Sequence, residues 1–251
     1  MNDWFIWNGV KCTDKGMHVL TPPPIVAAKE RIEEIEIPGR SGTYTFRQGD
    51  NVYDDINLSA SCIIDNMYRE EGDKQIDVIS EISRWLRGSG NVTFHNRPEG
   101  YYKGRIANQI SFEKVLRGNP HRIFSLEFRC KPYFNLFSGE QTITVKDSAS
   151  LTNLGNIESC PMLKIYGTGE GTIMCGSETM IINDFGDSKY IIVDCDSLMA
   201  YTGEPNNPSD PLQLMGTKVS GDWIKIPEGQ SFFTIQGDIS SVVITPRWRC
   251  V

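Results

Sequence analysis

Short stretches of alternating apolar and polar residues, separated by turn residues, run through most of this sequence. From Ile56 to Ile64 every even-numbered residue is apolar, and Phe124 to Cys130 follows the same alternation. Because successive side chains of a strand point to opposite faces, this period of two predicts strands with one buried face. In the second half such strands recur at a spacing of about 8 to 12 residues, which is typical of a sandwich or jelly roll. The sequence therefore predicts a mainly β protein.

One amphipathic helix is predicted over about residues 73–87. Asp73 suits the N-cap and Gly88 suits the stop after the last turn. One face of this helix is apolar, through Ile76, Ile79, Ile82 and Leu86. A single helix among strands is expected to lie across a sheet.

A domain boundary is predicted just after the strand that ends at Cys130. The segment 131–135, Lys-Pro-Tyr-Phe-Asn, contains a proline, which cannot donate to a β ladder, so we expect it to end the strand. This divides the chain into domains at residues 1–135 and 136–251.

Composition excludes several classes of protein. The net charge of −7 argues against a surface that neutralises nucleic acid, although DNA could pass through a channel without binding. No stretch approaches the roughly 18 apolar residues of a membrane span. Residues 1–5 lack the basic and hydrophobic regions of a signal peptide, so synthesis in a cytoplasm is expected. Seven cysteines without a CxxC pair predict buried free thiols, not a disulfide framework or a zinc site.

No residue pattern predicts catalysis, a cofactor or a metal. Ser41 is not in the Gly-x-Ser-x-Gly context of a nucleophile elbow, and nothing places it beside His18, His95 or His121. The glycine-rich stretch 167–171 lacks the lysine and the following helix of a phosphate loop, so it is interpreted as a turn between strands.

Two clusters of acidic residues are explained without a metal site or catalysis. Asp184, Asp187, Asp194 and Asp196 match no calcium loop and are typical turn residues. Glu34 and Glu36 alternate with Ile35 and Ile37, which predicts a half-buried strand whose acidic face meets solvent or another subunit.

Aromatic residues in the second half leave a carbohydrate-binding function open. Trp223 and Phe232 are weak candidates for stacking on a sugar ring. Alternation of the last strand places Trp248 in the core, and places Arg247 and Arg249 on the opposite face, toward a partner or solvent. The alternative function is therefore host-surface recognition through the C-terminal sandwich.

Motifs in the first half occur in an order that resembles a known family. They are Asn8-Gly9, Ile37-Pro38-Gly39-Arg40-Ser41-Gly42, the strand from Tyr53 to Leu58, Ile82 with Trp85-Leu86, Tyr101-Tyr102-Lys103-Gly104-Arg105, and the run from Leu126 to Pro132. The chain resembles the distal tail proteins of long-tailed, siphovirus-type bacteriophages and prophages. The second half is similar only in its sandwich pattern and in the Pro-Glu-Gly-Gln turn at 227–230.

This resemblance implies a structural protein of the virion with no catalytic residues and no cofactor. It implies an N-terminal β-sandwich or barrel-like domain with one helix, which joins six copies into a ring, and a C-terminal galectin-like sandwich. The implied ring lies at the tail tip, is assembled in the host cytoplasm, and joins the tail tube protein to the tip hub and the receptor-binding or baseplate proteins. DNA would pass through the ring without specific binding, so we expect a neutral to acidic bore.

A ring requires two different surfaces on each subunit. The Pro22-Pro23-Pro24 arm and the turn at residues 37–44 are the predicted parts of that interface. Within the turn, the candidate inter-subunit residues are Pro38, Gly39, Arg40 and Gly42. The same block is interpreted as a tight β-turn whose glycines relieve backbone strain.

Overall fold

A computed structural model describes residues 3–47, 49, 51–65, 75–114, 121–186, 189–202 and 218–251. The chain forms two compact units, Met1–Phe134 with Val251, and Asn135–Cys250. Three sequence predictions lie outside the described residues: the helix N-cap at Asp73, the acidic residue Asp187, and the side chain of Ile76.

The first unit is built on one antiparallel sheet with a helix. Its sheet order is β2-β1-β7-β8-β10-β6-β3, with β9 also paired to β10, while β4 and β5 pair only with each other. The elements are β1 Phe5–Trp7, β2 Val10–Lys11, a 3-10 helix Cys12–Lys15, β3 Met17–Thr21, β4 Ile32–Glu36, β5 Thr43–Arg47, β6 Ile56–Ile64, α1 Gln75–Trp85, β7 Ser89–Phe94, β8 Gly100–Ile106, β9 Glu113–Lys114 and β10 Arg122–Leu136.

Alternation in β6 and β10 produces the core of this unit. The two strands pair antiparallel from Cys130–Ile56 to Arg122–Ile64, and the apolar residues of both strands that alternate with polar ones are buried, as predicted. The early turn is also confirmed, because Asn8 and Gly9 have positive φ angles of 50° and 79°, the conformation that a two-residue hairpin turn requires.

Helix α1 packs on the core through a slightly different stripe from the predicted one. Val78, Ile82 and Leu86 are buried, whereas Ile79 is only half-buried. The Phe5 ring stacks on Trp85 with centroids 5.7 Å apart. Because Val78, Ile82 and Leu86 are spaced four residues apart, they lie one above another on the face toward the core.

The predicted break in the strand after Cys130 is wrong. Strand β10 continues through Pro132 to Leu136. The ladder between β10 and β6 ends at Cys130, so Pro132 is not needed as a donor to β6, and a proline is tolerated in a strand at such a position.

The second unit is a curled eight-stranded sheet in which two long strands pair at the centre. Its order is β11-β18-β13-β14-β17, with β12 paired to β18, β15 to β13 and β16 to β15. The elements are a 3-10 helix Phe137–Glu140, β11 Ile143–Val145, β12 Ser148–Asn153, β13 Met162–Cys175, β14 Glu178–Ile182, β15 Tyr190–Asp194, β16 Met199–Tyr201, β17 Val219–Gly221 and β18 Gly229–Thr245. A short further strand, β19 Arg249–Cys250, is not part of this sheet.

The glycine-rich stretch at residues 167–171 is not the predicted turn. It lies inside β13, where the register with β18 shifts between Tyr166 and Gly171, as in a β-bulge. A Cβ at Gly167 would lie 2.6 Å from the carbonyl oxygen of Asp238, and one at Gly171 would lie 2.7 Å from that of Gln236. Glycine is needed there because the two strands approach closely where they bend.

The mainly β fold with a helix in the first unit confirms the predicted class, and the two curled sheets fit a sandwich or barrel-like architecture. Among the described helices, none has the length and apolar character needed to cross a membrane.

Candidate functional site

The hairpin formed by β4 and β5 projects a surface that the rest of the described chain does not cover. Its register pairs Ile35 with Tyr44 and Glu33 with Phe46. Directly paired residues share a face of a sheet, so Ile35, Tyr44 and Phe46 lie on the same side. Alternation places Ile37 on that side too, and places Glu34 and Glu36 on the other.

Every residue of both strands is exposed. On the apolar side, the exposed fractions are 45% for Ile35, 41% for Ile37, 51% for Tyr44 and 48% for Phe46. The prediction that the strand containing Ile35 and Ile37 is half-buried is therefore wrong for this chain alone. An isolated two-stranded hairpin is marginally stable in water, and a cluster of exposed large apolar residues marks an interaction surface.

The tip of the hairpin has the geometry of a type II turn. The amide of Arg40 donates to the carbonyl oxygen of Ile37 at 3.1 Å. Pro38 supplies the fixed φ of the second turn position, and Gly39 has the positive φ, 81°, of the third. Gly42 has a similar φ of 82°. The prediction of a tight turn is confirmed.

Space around the tip is open. A Cβ added at Gly39 or Gly42 would meet nothing within 4 Å, so these glycines are needed for their backbone angles and not for close packing. A cleft of about 360 Å³ lies beside the tip and is lined by Glu36, Ile37, Pro38, Arg40, Gly42 and Thr43. The four candidate inter-subunit residues thus lie together on an exposed tip.

The base of the hairpin is fixed to the first unit. The Arg31 amide donates to the carbonyl oxygen of Val52, and its guanidinium Nε donates to Asp54 Oδ1 at 2.8 Å. The Tyr133 hydroxyl donates to the carbonyl oxygen of Asn51 at 3.0 Å. The hairpin therefore projects from β10 and β6 on an anchored base.

The proline arm lies on the same unit. Residues 22–29 form neither strand nor helix, as three successive prolines predict. The Asn96 side-chain amide donates to the carbonyl oxygen of Pro23 at 3.0 Å, and Ile25 is 66% exposed. The arm therefore adds a further exposed apolar side chain, that of Ile25, to the surface of this unit.

The two sugar-stacking candidates have different surroundings. Phe232 on β18 is 71% exposed, whereas Trp223 is partly buried against the core of the second unit. The other aromatic residues considered in this half, Tyr201, Phe233 and Trp248, are buried. Trp248 is thus in the core, as alternation predicts.

The C-terminal arginines are partly buried and form ion pairs within the chain. Arg247 forms two hydrogen bonds with the Asp194 carboxylate, at 2.6 and 3.1 Å. Arg249 lies 3.3 Å from Asp196. Partial burial acts to raise the pKa of Asp194, but the hydrogen bonds and charge of Arg247 outweigh it and lower that pKa.

The acidic and histidine residues have structural partners. Asp184 Oδ1 accepts from the amide of Gly186, while His18 Nε2 and His95 Nε2 lie 2.7 and 3.1 Å from carboxylate oxygens of Asp65 and Asp3. Within the described ranges, no three His, Cys, Asp or Glu residues are grouped to hold a metal.

The seven cysteines are free, and five of them are buried. Burial raises the pKa of the Cys130 and Cys195 thiols to about 12. Such groups stay protonated at neutral pH and are poor nucleophiles. The predicted free, buried thiols are confirmed for these five, whereas Cys160 and Cys250 are half-buried.

Comparison with known proteins gives a match in structure alone. No model of a known protein family matches the sequence, and no curated protein matches it significantly. A crystal structure of the Dit protein (gp 19.1) of phage SPP1, described as a paradigm of the hub adsorption apparatus in phages that infect Gram-positive bacteria, superposes with a TM-score of 0.68 at 14% identity. That match covers 97% of this chain and 98% of the other.

A chain of the phage P2 baseplate, in its activated conformation with Ca, gives a TM-score of 0.52 at 8% identity, again covering 97% of this chain and 98% of that one. Both structural matches extend over the two units together and are not limited to a single unit. The protein therefore has the whole-chain fold of SPP1 Dit, which is the fold that the resemblance to distal tail proteins implies.

Proposed function

We propose that this protein is a structural component of a bacteriophage tail, a distal tail protein whose copies form a hexameric ring at the tail tip. One observation carries the proposal: the fold matches SPP1 Dit over 97% of this chain and 98% of that chain. A likeness over both units argues for a shared role of the whole protein, not for one reused domain.

The ring itself is supported by the hairpin. Four large apolar side chains are exposed on one of its faces, and the hairpin pairs with no other strand among the described residues. A closed ring needs a surface that fits a different surface on the next copy. The hairpin with its tip residues Pro38, Gly39, Arg40 and Gly42 supplies one such surface, and the arm at residues 22–25 extends it.

The proposed ring joins the tail tube protein to the tip hub and the receptor-binding or baseplate proteins, and it lets DNA pass. The net charge of −7 supports a bore that does not hold phosphate groups. A cryo-electron microscopy reconstruction of the ring tests this part, because a bore lined mainly by lysine and arginine would contradict it.

Mass and shape in solution test the ring. We expect multi-angle light scattering to show a hexamer at high protein concentration, and negative-stain microscopy to show six-fold rings. Labelled antibodies against the protein should bind the tail tip of assembled particles. A protein that stays monomeric near millimolar concentration, together with tails that carry no such ring, would rule the proposal out.

The carbohydrate-binding alternative lacks its required geometry among the described residues. Sugar stacking by a sandwich face needs two or three exposed rings in one plane. Phe232 is exposed, but Trp223 packs against the core. We therefore do not propose it, and a glycan array with the full chain is expected to give no hits.

A further inference from the structure

A basic groove of about 500 Å³ crosses the outer face of the sheet in the first unit. The cross-strand pairs Ser89–Arg105 and Asn91–Lys103 link β7 to β8 on this face. Arg129 and Lys131 on the adjacent strand β10 form its other side. Four cationic side chains from two neighbouring strands therefore line one groove.

The floor of the groove is backbone. Gly90 and Gly104 pair with each other between β7 and β8, and both line the groove. A Cβ at Gly104 would lie 2.7 Å from Cys130 Sγ and 2.8 Å from the carbonyl oxygen of Arg129. Glycine thus allows β8 to approach β10 closely. Because residue 104 alternates with Lys103 and Arg105, its Cβ would point to the other face of the sheet, and the floor between the cationic side chains is backbone.

The positive charge is only partly compensated. Asp55 lies 3.1 Å from Arg129 Nε and 3.6 Å from Lys131 Nζ. Lys103 and Arg105 are exposed and form no ion pair with any described residue. In a chain with a net charge of −7, this local excess of cations favours an anionic partner.

The same chain carries a matching surface on β4. Glu33, Glu34 and Glu36 are exposed, and none forms an ion pair with the described residues. Glu33 lies on the apolar face of the hairpin, beside Phe46 and Ile35. That face therefore combines a carboxylate with apolar side chains, which complements a groove of cations, aliphatic side-chain stems and bare backbone.

We propose that the acidic strand β4 of one copy docks in the basic groove of the next copy. The Glu33 carboxylate, on the apolar face of the hairpin, pairs with Lys103 and Arg105, while Ile35 and Tyr44 cover the backbone floor of the groove. The groove is then the second, different surface that a ring requires. The inference rests on the proposed ring, and it places these cations at subunit contacts and not in the bore.

Charge reversal on each side tests the pairing. The groove variant carries Lys103→Glu and Arg105→Glu, and the hairpin variant carries Glu33→Lys. Each variant alone is expected to associate about 10-fold or more weakly than the unchanged protein, because like charges then face each other. A control with Lys146→Glu and Lys189→Glu, two exposed lysines of the second unit, should assemble normally.

Mixing the two variants gives the decisive result. In a mixture, the unchanged acidic hairpin of the groove variant can dock in the unchanged basic groove of the hairpin variant. The basic hairpin of the hairpin variant can dock in the acidic groove of the groove variant. We therefore expect an equimolar mixture to regain the oligomer, and a single chain with all three changes to assemble by itself. Circular dichroism and thermal unfolding check that each variant is folded.

Three outcomes would overturn the inference. If the unchanged protein forms rings and both variants assemble equally well, the groove is not the docking surface, although the proposed function stands. If folded variants fail alone and also fail in the mixture, the two surfaces do not meet. If the groove variant assembles normally but loses affinity for a duplex DNA probe in fluorescence anisotropy, the groove binds nucleic acid. An unchanged protein that never assembles refutes the ring itself.

Discussion

Among individual residues, the glycines at the bulge between β13 and β18 leave no room for a side chain. A Cβ at Gly171 would lie 2.6 Å from Ile239 Cγ1 and 2.7 Å from the carbonyl oxygen of Gln236. Gly171→Ala therefore forces one strand to move, and we expect it to lower the free energy of unfolding by about 1–3 kcal/mol. Urea unfolding monitored by tryptophan fluorescence measures the change.

A matched control for this substitution is Ser148→Ala. Ser148 is exposed on β12, which also pairs with β18. Because no close contact is created there, its effect should stay within about 0.5 kcal/mol. A Gly171→Ala protein as stable as this control would show that the bulge relaxes freely.

The Asp194–Arg247 ion pair gives a pH-dependent prediction. Both side chains are mostly buried, with exposed fractions of 18% and 23%. The pKa of Asp194 in the folded protein lies below its ordinary value of 3.8, so the pair stabilises fully above pH 3.8 and loses its effect as pH falls through the lowered folded-state pKa. Asp194→Asn should cost about 1–3 kcal/mol at neutral pH.

The loss of unfolding free energy caused by Asp194→Asn should become smaller in acid. Urea unfolding of both proteins from neutral pH to below pH 3.8 measures it, and Asp196→Asn serves as the control. Asp196 is 49% exposed beside Arg249, and such an exposed pair contributes about 0–1 kcal/mol. A difference between Asp194→Asn and the unchanged protein that stays constant into acid would contradict the assigned pKa direction.

Among the structural elements, the hairpin of β4 and β5 is exposed over its whole length. Its two strands bury neither face, and its register separates an apolar face from a polar one. Ile35→Lys places a charge on the apolar face. We expect it to abolish the oligomer in light scattering while changing the unfolding free energy of the monomer by no more than about 0.5 kcal/mol.

The opposite face of the same hairpin provides the control for Ile35→Lys. Thr45 pairs with Glu34 on the polar side, and Thr45→Lys adds the same charge there. We expect this protein to keep its oligomeric mass. Equal loss of assembly in both variants would mean that charge, and not the apolar face, governs the association.

For the whole molecule, the two units have separate cores and, as proposed, separate tasks. Leu163 is fully buried in the core of the second unit, and Leu126 is fully buried in the first. Leu163→Ala should destabilise the second unit by about 2–5 kcal/mol. Because the proposed ring surfaces lie in the first unit, the oligomer should persist below the unfolding temperature.

Calorimetry and light scattering on the same samples measure this separation. Leu126→Ala is the matched substitution, since it removes the same atoms from the core on which the groove and hairpin are built. We expect Leu126→Ala to weaken assembly as it destabilises the first unit, and Leu163→Ala to leave assembly unchanged. Loss of the oligomer in a still-folded Leu163→Ala protein would place ring contacts in the second unit.

The local sequence pattern was sufficient to predict those features of the fold that depend on residues close in sequence. The buried faces of β6 and β10, the Asn8-Gly9 turn and the type II turn at Pro38-Gly39 follow from side-chain alternation and from backbone angles that only certain residues adopt. The helix was predicted in the same way, although Val78 and not Ile79 completes its buried stripe.

Errors arose where a neighbouring strand decides the outcome. Pro132 resembles a strand breaker, but β10 continues because its ladder with β6 has already ended there. The glycines at 167–171 resemble a turn, but the chain continues as a bulged strand because β18 runs close beside it. Neither partner strand is adjacent in sequence, so no local pattern could reveal it.

The periodicity of apolar residues along the chain thus determined that this protein is mainly β, with a helix in its first half, and where most of the described strands lie. Only the tertiary structure decided which faces remain uncovered. The apolar side of the hairpin has the same alternation as a buried strand, yet it is exposed because no described sheet lies against it. Lys103, Arg105, Arg129 and Lys131 are distributed along two strands, and register alone brings them into one groove, because strand pairing joins residues that are far apart in sequence.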